Sequence, residues 1–285
     1  MAILDGKLVA SLVLNKVKGG VYQFSKKTGV KPKLVVILVG ENPASLTYVR
    51  NKRRSCEEVG IEWEQISLSE KEVSTESLIS QIKELNERAD VHGILVQLPL
   101  PKNIYAPDVI KAIDPYKDVD GFHAYNVGKT FLSKEFEELA PCTAKGVMKI
   151  LDHYKIDPKG MDATVVGHSN IAGKPISLML LNRNATVTTC HIDTKDLKKH
   201  TKNADLLVVA VGKPKLITAD MVKKGAIVID VGINKVDGKL IGDVDFEKVS
   251  KKASYITPVP GGVGPMTVAC LMENTLIAYK KYFKL

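Results

Sequence analysis

Tyr48 and Lys52 stand four residues apart in Tyr48-Val-Arg-Asn-Lys52, a spacing that puts a phenol and an amine on one face of a helix. A tyrosine beside a lysine can relay a proton, and a lysine drawn partly out of water titrates closer to neutrality. The ordinary alternative is a solvated lysine on a basic helix, because Arg50, Arg53 and Arg54 surround it. Gln97 follows an apolar run, in Val96-Gln97-Leu98-Pro99, where α/β folds keep their ligands. Asp118-Val-Asp120-Gly121-Phe122 echoes a calcium loop but lacks its remaining ligands, which leaves a turn built on aspartate as the simple alternative.

Two glycine loops complete the set. Gly167-His168-Ser169-Asn-Ile171-Ala-Gly173-Lys174-Pro175 lies between an expected strand and an expected helix, as a dinucleotide loop must. Gly167 would permit the tight turn, Gly173 would let the helix approach closely, and the helix N-terminus would offer N–H groups to a pyrophosphate. Ser169 replaces the middle glycine, so the pattern by itself also fits an ordinary turn. Asp193, just past the second strand, is placed to hold ribose hydroxyls, whereas His168 could meet a 2′-phosphate. The two residues point in opposite directions. The second loop, Thr257-Pro-Val-Pro260-Gly261-Gly-Val-Gly264-Pro265, is stiff and lets backbone approach a flat ligand or an anion.

The elements that must hold these residues are legible from periodicity. Residues 7–29 carry apolar positions at helical spacing, with Gly19-Gly20 as a weak point. A strand at 33–40 leads to a helix with Ser45 as its expected cap. A helix at 73–89 leads to a strand at 92–101. Residues 102–140 read as a connector. Strands at 162–167, 185–191, 205–212 and 225–232 recur about every 20 residues, as strand–helix units do. A last helix spans 265–281. Apolar strands without alternation, separated by helices, imply a parallel sheet covered on both faces. The fold class is therefore α/β with two domains and a boundary near 140.

Composition narrows the partners. The 285 residues include 41 Lys and Arg against 32 Asp and Glu, a formal charge of +9, which favours nucleic acid, an anionic membrane or a small polyanion. Basic residues are spread rather than grouped with the few aromatics, which argues against nucleic acid. No apolar run is long enough for a membrane span. MAILDGK is too polar for a signal peptide, and Cys56, Cys142, Cys190 and Cys270 are too dispersed for a zinc or CxxC site. Cytoplasm and no metal are the expectations.

In their order, these segments resemble the bifunctional methylenetetrahydrofolate dehydrogenase/methenyltetrahydrofolate cyclohydrolase family. The resemblance runs through residues 42–61, 92–101, 118–128, 141–147, 165–175, 225–234, 242–246 and 256–269, nearly the whole chain. It implies a folate-side domain of residues 1–139 plus 266–285, and a Rossmann-like nucleotide-binding domain of residues 140–265. It further implies an active site between the two and a homodimer built through the nucleotide-binding domains. By the same resemblance Tyr48, Lys52, Gln97 and Asp120 match catalytic positions. Tyr48, Val96, Leu98, Pro260, Gly261 and Gly264 match substrate-binding ones, and Gly167, His168, Ser169, Ile171, Gly173, Ile192 and Ile233 match the cofactor site.

The implied activity is oxidation of 5,10-methylenetetrahydrofolate with NADP, then hydrolysis of the methenyl product to 10-formyltetrahydrofolate. At the cofactor-selecting positions the chain departs from the family habit, with His168 for arginine and Ile192-Asp193 past the second strand. NADP is the expected cofactor, and those three residues keep NAD as the alternative. A silent dinucleotide sensor would be expected to lack the Tyr48/Lys52/Gln97/Asp120 set, which is complete here.

Overall fold

In the computed structural model, which describes residues 1–285, the chain opens with a two-residue strand, β1 (Ala2–Ile3), and a long helix, α1 (Gly6–Thr28). The glycine pair does not break α1. A Cβ at Gly20 would come 2.7 Å from Cδ2 of Leu276, so glycine there lets the C-terminal segment approach. Then β2 (Lys33–Val39) leads through α2 (Pro43–Val59) to β3 (Glu62–Leu68), and α3 (Thr75–Glu87) leads to β4 (Gly93–Val96). These strands form a parallel sheet in the order β3-β2-β4. Val35, Ile37 and Ile94 of the sheet pack with Leu78, Ile82 and Leu85 of α3 in one core cluster.

Four local expectations change. The cap of α2 is Asn42, whose side chain accepts from the amides of Ala44 and Ser45; Ser45 lies buried inside the first turn. The strand expected at 92–101 ends at Val96, because Pro99 and Pro101 have no N–H to give a ladder. The edge strand β3 is additional, its apolar signal diluted by Glu62, Glu64 and Gln65. The connector at 102–140 contains two short helices, α4 (Ala106–Lys111) and α5 (Ala124–Leu132).

The second half runs α6 (Cys142–His153), β5 (Asp162–Val166), α7 (Gly173–Leu181), β6 (Thr186–Cys190), α8 (Leu197–Thr201), β7 (Leu206–Val209) and β8 (Ile227–Asp230). A hairpin follows, β9 (Asn234–Val236) and β10 (Lys239–Ile241). It turns on Asp237 and Gly238, both at positive φ (48° and 76°), as a two-residue hairpin loop requires. After α9 (Phe246–Val249) and β11 (Tyr255–Ile256) comes the last helix, α10 (Val263–Tyr282). The larger sheet is wholly parallel, in the order β1-β11-β8-β7-β5-β6. No helix is long and apolar enough to cross a membrane.

Two compact units result. One comprises Met1–Ser11, Lys129–Glu137 and Thr143–Thr267, around the larger sheet; the other comprises Leu12–Gly128, Glu138–Cys142 and Val268–Leu285, around the smaller. The units differ from the expected division chiefly at two places. Residues 1–11 join the larger sheet, because Ala2 and Ile3 pair with Tyr255 and Ile256 of β11. Residues 129–137 join the same unit, where Asn182 donates to the carbonyl of Thr130 and Arg183 grips Glu137 through two bonds of 2.9 and 3.1 Å.

In the smaller-sheet unit, His92 shows how the end of α10 is seated. Its Nδ1 accepts from the Lys33 amide at 3.1 Å, which assigns the ring proton to Nε2. The ring lies among Tyr279, Tyr282 and Phe283, with centroids 4.9 to 5.8 Å away. Burial pushes the His92 pKa down to about 4. An unfolded histidine titrates near about 6.5. Between these values the unfolded chain takes up the proton first, so stability falls as pH drops through that window. His92→Leu is expected to lose less stability than the parent between about pH 7 and about pH 5 in urea titrations. Equal losses in the two proteins would contradict this.

Candidate active site

The buried positions of α2 are Ser45, Val49, Lys52, Cys56 and Val59, a single stripe down the helix. Lys52 belongs to that stripe and is only 7% exposed, while Arg50, Arg53 and Arg54 face solvent. The solvated-lysine alternative is thereby excluded. Its Nζ donates to Oε1 of Gln97 at 2.9 Å, and Gln97 Nε2 donates to the carbonyl of Leu98 at 2.6 Å. The second bond fixes the amide so that its oxygen meets the lysine. Gln97 owes its place to the end of β4, where its own amide donates to Ile37 of β2.

Burial pushes the Lys52 pKa down, and the charge of Asp120 is the strongest influence opposing it. In return, desolvation raises the Asp120 carboxyl, with Lys52 as the leading opposing influence, although Asp120 keeps part of its surface exposed. Tyr48, one turn before Lys52, is 37% exposed, and burial of its ring raises its phenol pKa. One unit therefore brings together Tyr48, Lys52, Gln97 and Asp120. The arrangement supplies an amine able to exist neutral, an amide that orients it and a carboxylate that tunes it.

The loop carrying Asp120 is built by its neighbours. Asp118 accepts N–H bonds from Gly121, Phe122 and His123 and a side-chain bond from Asn126. The turn-forming alternative thus describes Asp118, a residue quoted in the motif but given no role there. Lys117 is buried and donates to the carbonyls of Leu85, Asn86 and Arg88, closing the C-terminal end of α3. Gly121 sits at φ 79°, and a Cβ there would lie 2.6 Å from the Leu139 carbonyl. Among the expected substrate contacts, Leu98 is partly exposed. The side chain of Val96 packs in the core cluster.

Pro260, Gly261 and Gly264 belong to the other unit, with the nucleotide loop. There Gly167 sits at φ 121°, and a Cβ on it would lie 2.3 Å from the Ala210 carbonyl. A Cβ on Gly173 would lie 2.0 Å from the Gly167 carbonyl, so the start of α7 rests directly on the turn. One detail departs from expectation. The first amides of α7 are not open donors, because Gly173 N–H donates to Ser169 Oγ (3.4 Å), Lys174 N–H to the Ser169 carbonyl (3.1 Å), and Pro175 has none. Ser169 therefore closes the helix end, and a phosphate would be met by the loop before it.

Beyond the strand ends, Ile171, Ile192 and Ile233 are 44%, 91% and 39% exposed, an apolar fringe suited to flat rings. His168 and His191 lie with ring centroids 5.0 Å apart, and Asp193 Oδ2 is 3.5 Å from His191 Nδ1. Two buried carboxylates, Asp230 and Asp243, support the neighbouring loops. Asp230 accepts from the amides of Gly232, Asp243 and Val244; Asp243 accepts from Val211, Gly212 and Asn234. Burial lifts the Asp230 pKa to about 7. His191, Asp230 and Asp243 are not among the residues the sequence singles out, although Asp230 and Asp243 stand in the segments that carry the resemblance. The glycine cradle, the apolar fringe and the imidazoles fit a nicotinamide dinucleotide.

Fold and sites together define a two-unit α/β enzyme that uses a dinucleotide. Residues 4–120 match the catalytic domain of tetrahydrofolate dehydrogenase/cyclohydrolase and residues 141–283 its NAD(P)-binding domain; the chain belongs to this family. The bifunctional protein FolD of Nautilia profundicola is 54% identical over 285 residues, 100% of this chain and 99% of that protein. The crystal structure of the bifunctional methylenetetrahydrofolate dehydrogenase/cyclohydrolase of Campylobacter jejuni is 52% identical, with a TM-score of 0.95 and 99% of each chain covered. The Trypanosoma brucei enzyme, crystallised with NADP cofactor and an inhibitor, is 36% identical with a TM-score of 0.95, covering 100% of this chain and 99% of that one.

Proposed function

We propose that this chain oxidises 5,10-methylenetetrahydrofolate to the methenyl form with NADP and hydrolyses that product to 10-formyltetrahydrofolate, with Tyr48, Lys52, Gln97 and Asp120 as the reacting set. The observation that carries the residue roles is the buried Lys52 amine held by Gln97 and coupled to Asp120.

The substrate's two folate nitrogens flank the methylene carbon, and their lone pairs stabilise the cation left when hydride departs. No strong protein base is needed for that step; positioning is. When bound, NADP supplies the hydride acceptor. Lys52, with its pKa lowered by burial, offers a neutral fraction that does not repel the cation and can take a proton from attacking water. Gln97 holds the amine in place, Tyr48 covers and positions the substrate, and Asp120 grips pterin N–H donors. Removing Lys52 is the test of these roles.

His168 and His191 support NADP over NAD, since either ring can meet a 2′-phosphate, while Asp193 lies beside His191. Hydride-transfer rates with the two cofactors are expected to favour NADP, and a large preference for NAD would overturn this choice. A homodimer is supported by Phe131, Leu132 and Leu181, which the Asn182–Thr130 bond draws together and which are 66%, 68% and 56% exposed. A solution mass of one chain would count against it. The four cysteines are buried and form no disulfide, in keeping with the cytoplasm. Recovery from cell fractions outside the cytosol would refute that placement.

A further inference from the structure

Asn274 is a fully buried amide on α10 whose side chain bonds to groups more than a hundred residues away in the chain. Its Nδ2 donates to the carbonyl of Val119 at 3.0 Å and to that of Ala140 at 3.1 Å, and lies 3.5 Å from Sγ of Cys142. The thiol of Cys142 donates to the same Val119 carbonyl at 3.3 Å, and the Cys142 amide to the Asp120 carbonyl at 3.3 Å. Cys142 also neighbours the Asp120 carboxyl and opposes the rise that burial imposes on it. The two strands of backbone joined here are pressed together: a Cβ on Gly121 would meet Ala140 C and Pro141 N at 2.6 Å.

Core packing does not require such an arrangement. An asparagine in a helix otherwise buried among Ala269, Cys270, Leu271 and Met272 costs desolvation unless its donors are used. Here both are used on carbonyls that bracket Asp120, one immediately before it in the chain and one in the segment packed against Gly121. Lys117 and Asp118 fasten the loop from its other side. We infer that Asn274 is a positioning residue for Asp120: with Cys142 it clamps the backbone on which Asp120 stands, and so makes the last helix part of the folate site. The inference rests on Asp120 being a substrate-gripping group, as proposed above.

The test is a double-mutant cycle on the full-length protein, reading KM for methylenetetrahydrofolate, the dissociation constant for NADP and the melting temperature. Asn274→Ala is expected to raise the folate KM about tenfold, a displacement of well under 1 Å at a gripping group being enough for that. NADP affinity should be unchanged, because the dinucleotide loop belongs to the other unit. In an Asp120→Asn background the same change should add little, since the group it positions is already lost. Additive effects, or a stable Asn274→Ala protein with the parent's folate KM, would overturn the inference. Should Asn274→Ala fail to fold, Asn274→Ser, which keeps one donor, is expected to raise the KM several-fold, and a parental value there overturns it equally. An Asp120→Asn protein with unchanged folate KM would refute the role of Asp120 itself. That outcome is separate from one in which Asp120→Asn is defective and Asn274→Ala is silent.

Discussion

Lys52→Met is expected to lower cyclohydrolase turnover by about a thousandfold, the range lost when a general acid–base group is removed. Methionine keeps the length of the lysine stem and suits the buried stripe of Val49, Cys56 and Val59, so the helix should remain folded. Folate binding should persist, because Tyr48 and Asp120 are untouched, and oxidation should suffer less than hydrolysis because the substrate's own nitrogens stabilise the cation. In the parent, hydrolysis should rise with pH through the lowered Lys52 pKa, since the neutral amine is the proton acceptor. Asp120→Asn removes the main influence that raises that pKa, so the rising limb should move to lower pH. Normal hydrolysis by Lys52→Met, in a single-turnover assay with methenyltetrahydrofolate, would remove Lys52 from the mechanism.

Gly173→Ala should do the reverse. Its methyl group would lie 2.0 Å from the Gly167 carbonyl and 2.9 Å from the His168 nitrogen, all backbone, so neither side can yield by a rotamer change. The loop must shift, at a cost of about 1–3 kcal/mol in stability, and the cradle for the dinucleotide opens. The expected result is loss of most NADP affinity by titration calorimetry and loss of dehydrogenase activity, with hydrolysis of added methenyltetrahydrofolate largely retained. Parental NADP affinity in this variant would show that the close approach of α7 is not what shapes the site. Lys52→Met and Gly173→Ala together should separate the two activities in opposite senses.

Much of the fold is legible in the sequence. Apolar runs such as Leu34 to Val39 and Leu206 to Val211 announce buried strands; the first is buried throughout, and the second is buried over Leu206–Val209 and emerges at Val211. Less visible was whatever depends on which face of an element is covered. Arg50, Lys52, Arg53 and Arg54 look alike in a sequence, and only the register of α2 against its neighbours singles out Lys52 for burial. β3 escaped because an edge strand needs apolar residues on fewer positions, and Glu62 and Glu64 blur its signal. β1 and β11 are two residues each, too short for any periodicity, yet their pairing takes the N-terminus to the larger sheet. The clamp of Asn274 on Val119 and Ala140 joins segments far apart in the chain, and nothing local foretells it. The Asn42 cap was legible in principle, as an asparagine followed by proline at the first helical position.

One spectrophotometric experiment on the purified chain with methylenetetrahydrofolate and NADP, following reduced cofactor and the methenyl species together, reads both reactions at once. Reduced cofactor should accumulate in step with substrate loss, with the methenyl signal rising only transiently as Lys52 carries it on to the formyl product. Absence of reduced cofactor with either NADP or NAD would contradict dehydrogenase activity, and a methenyl signal that accumulates without decay would contradict hydrolysis by the same chain.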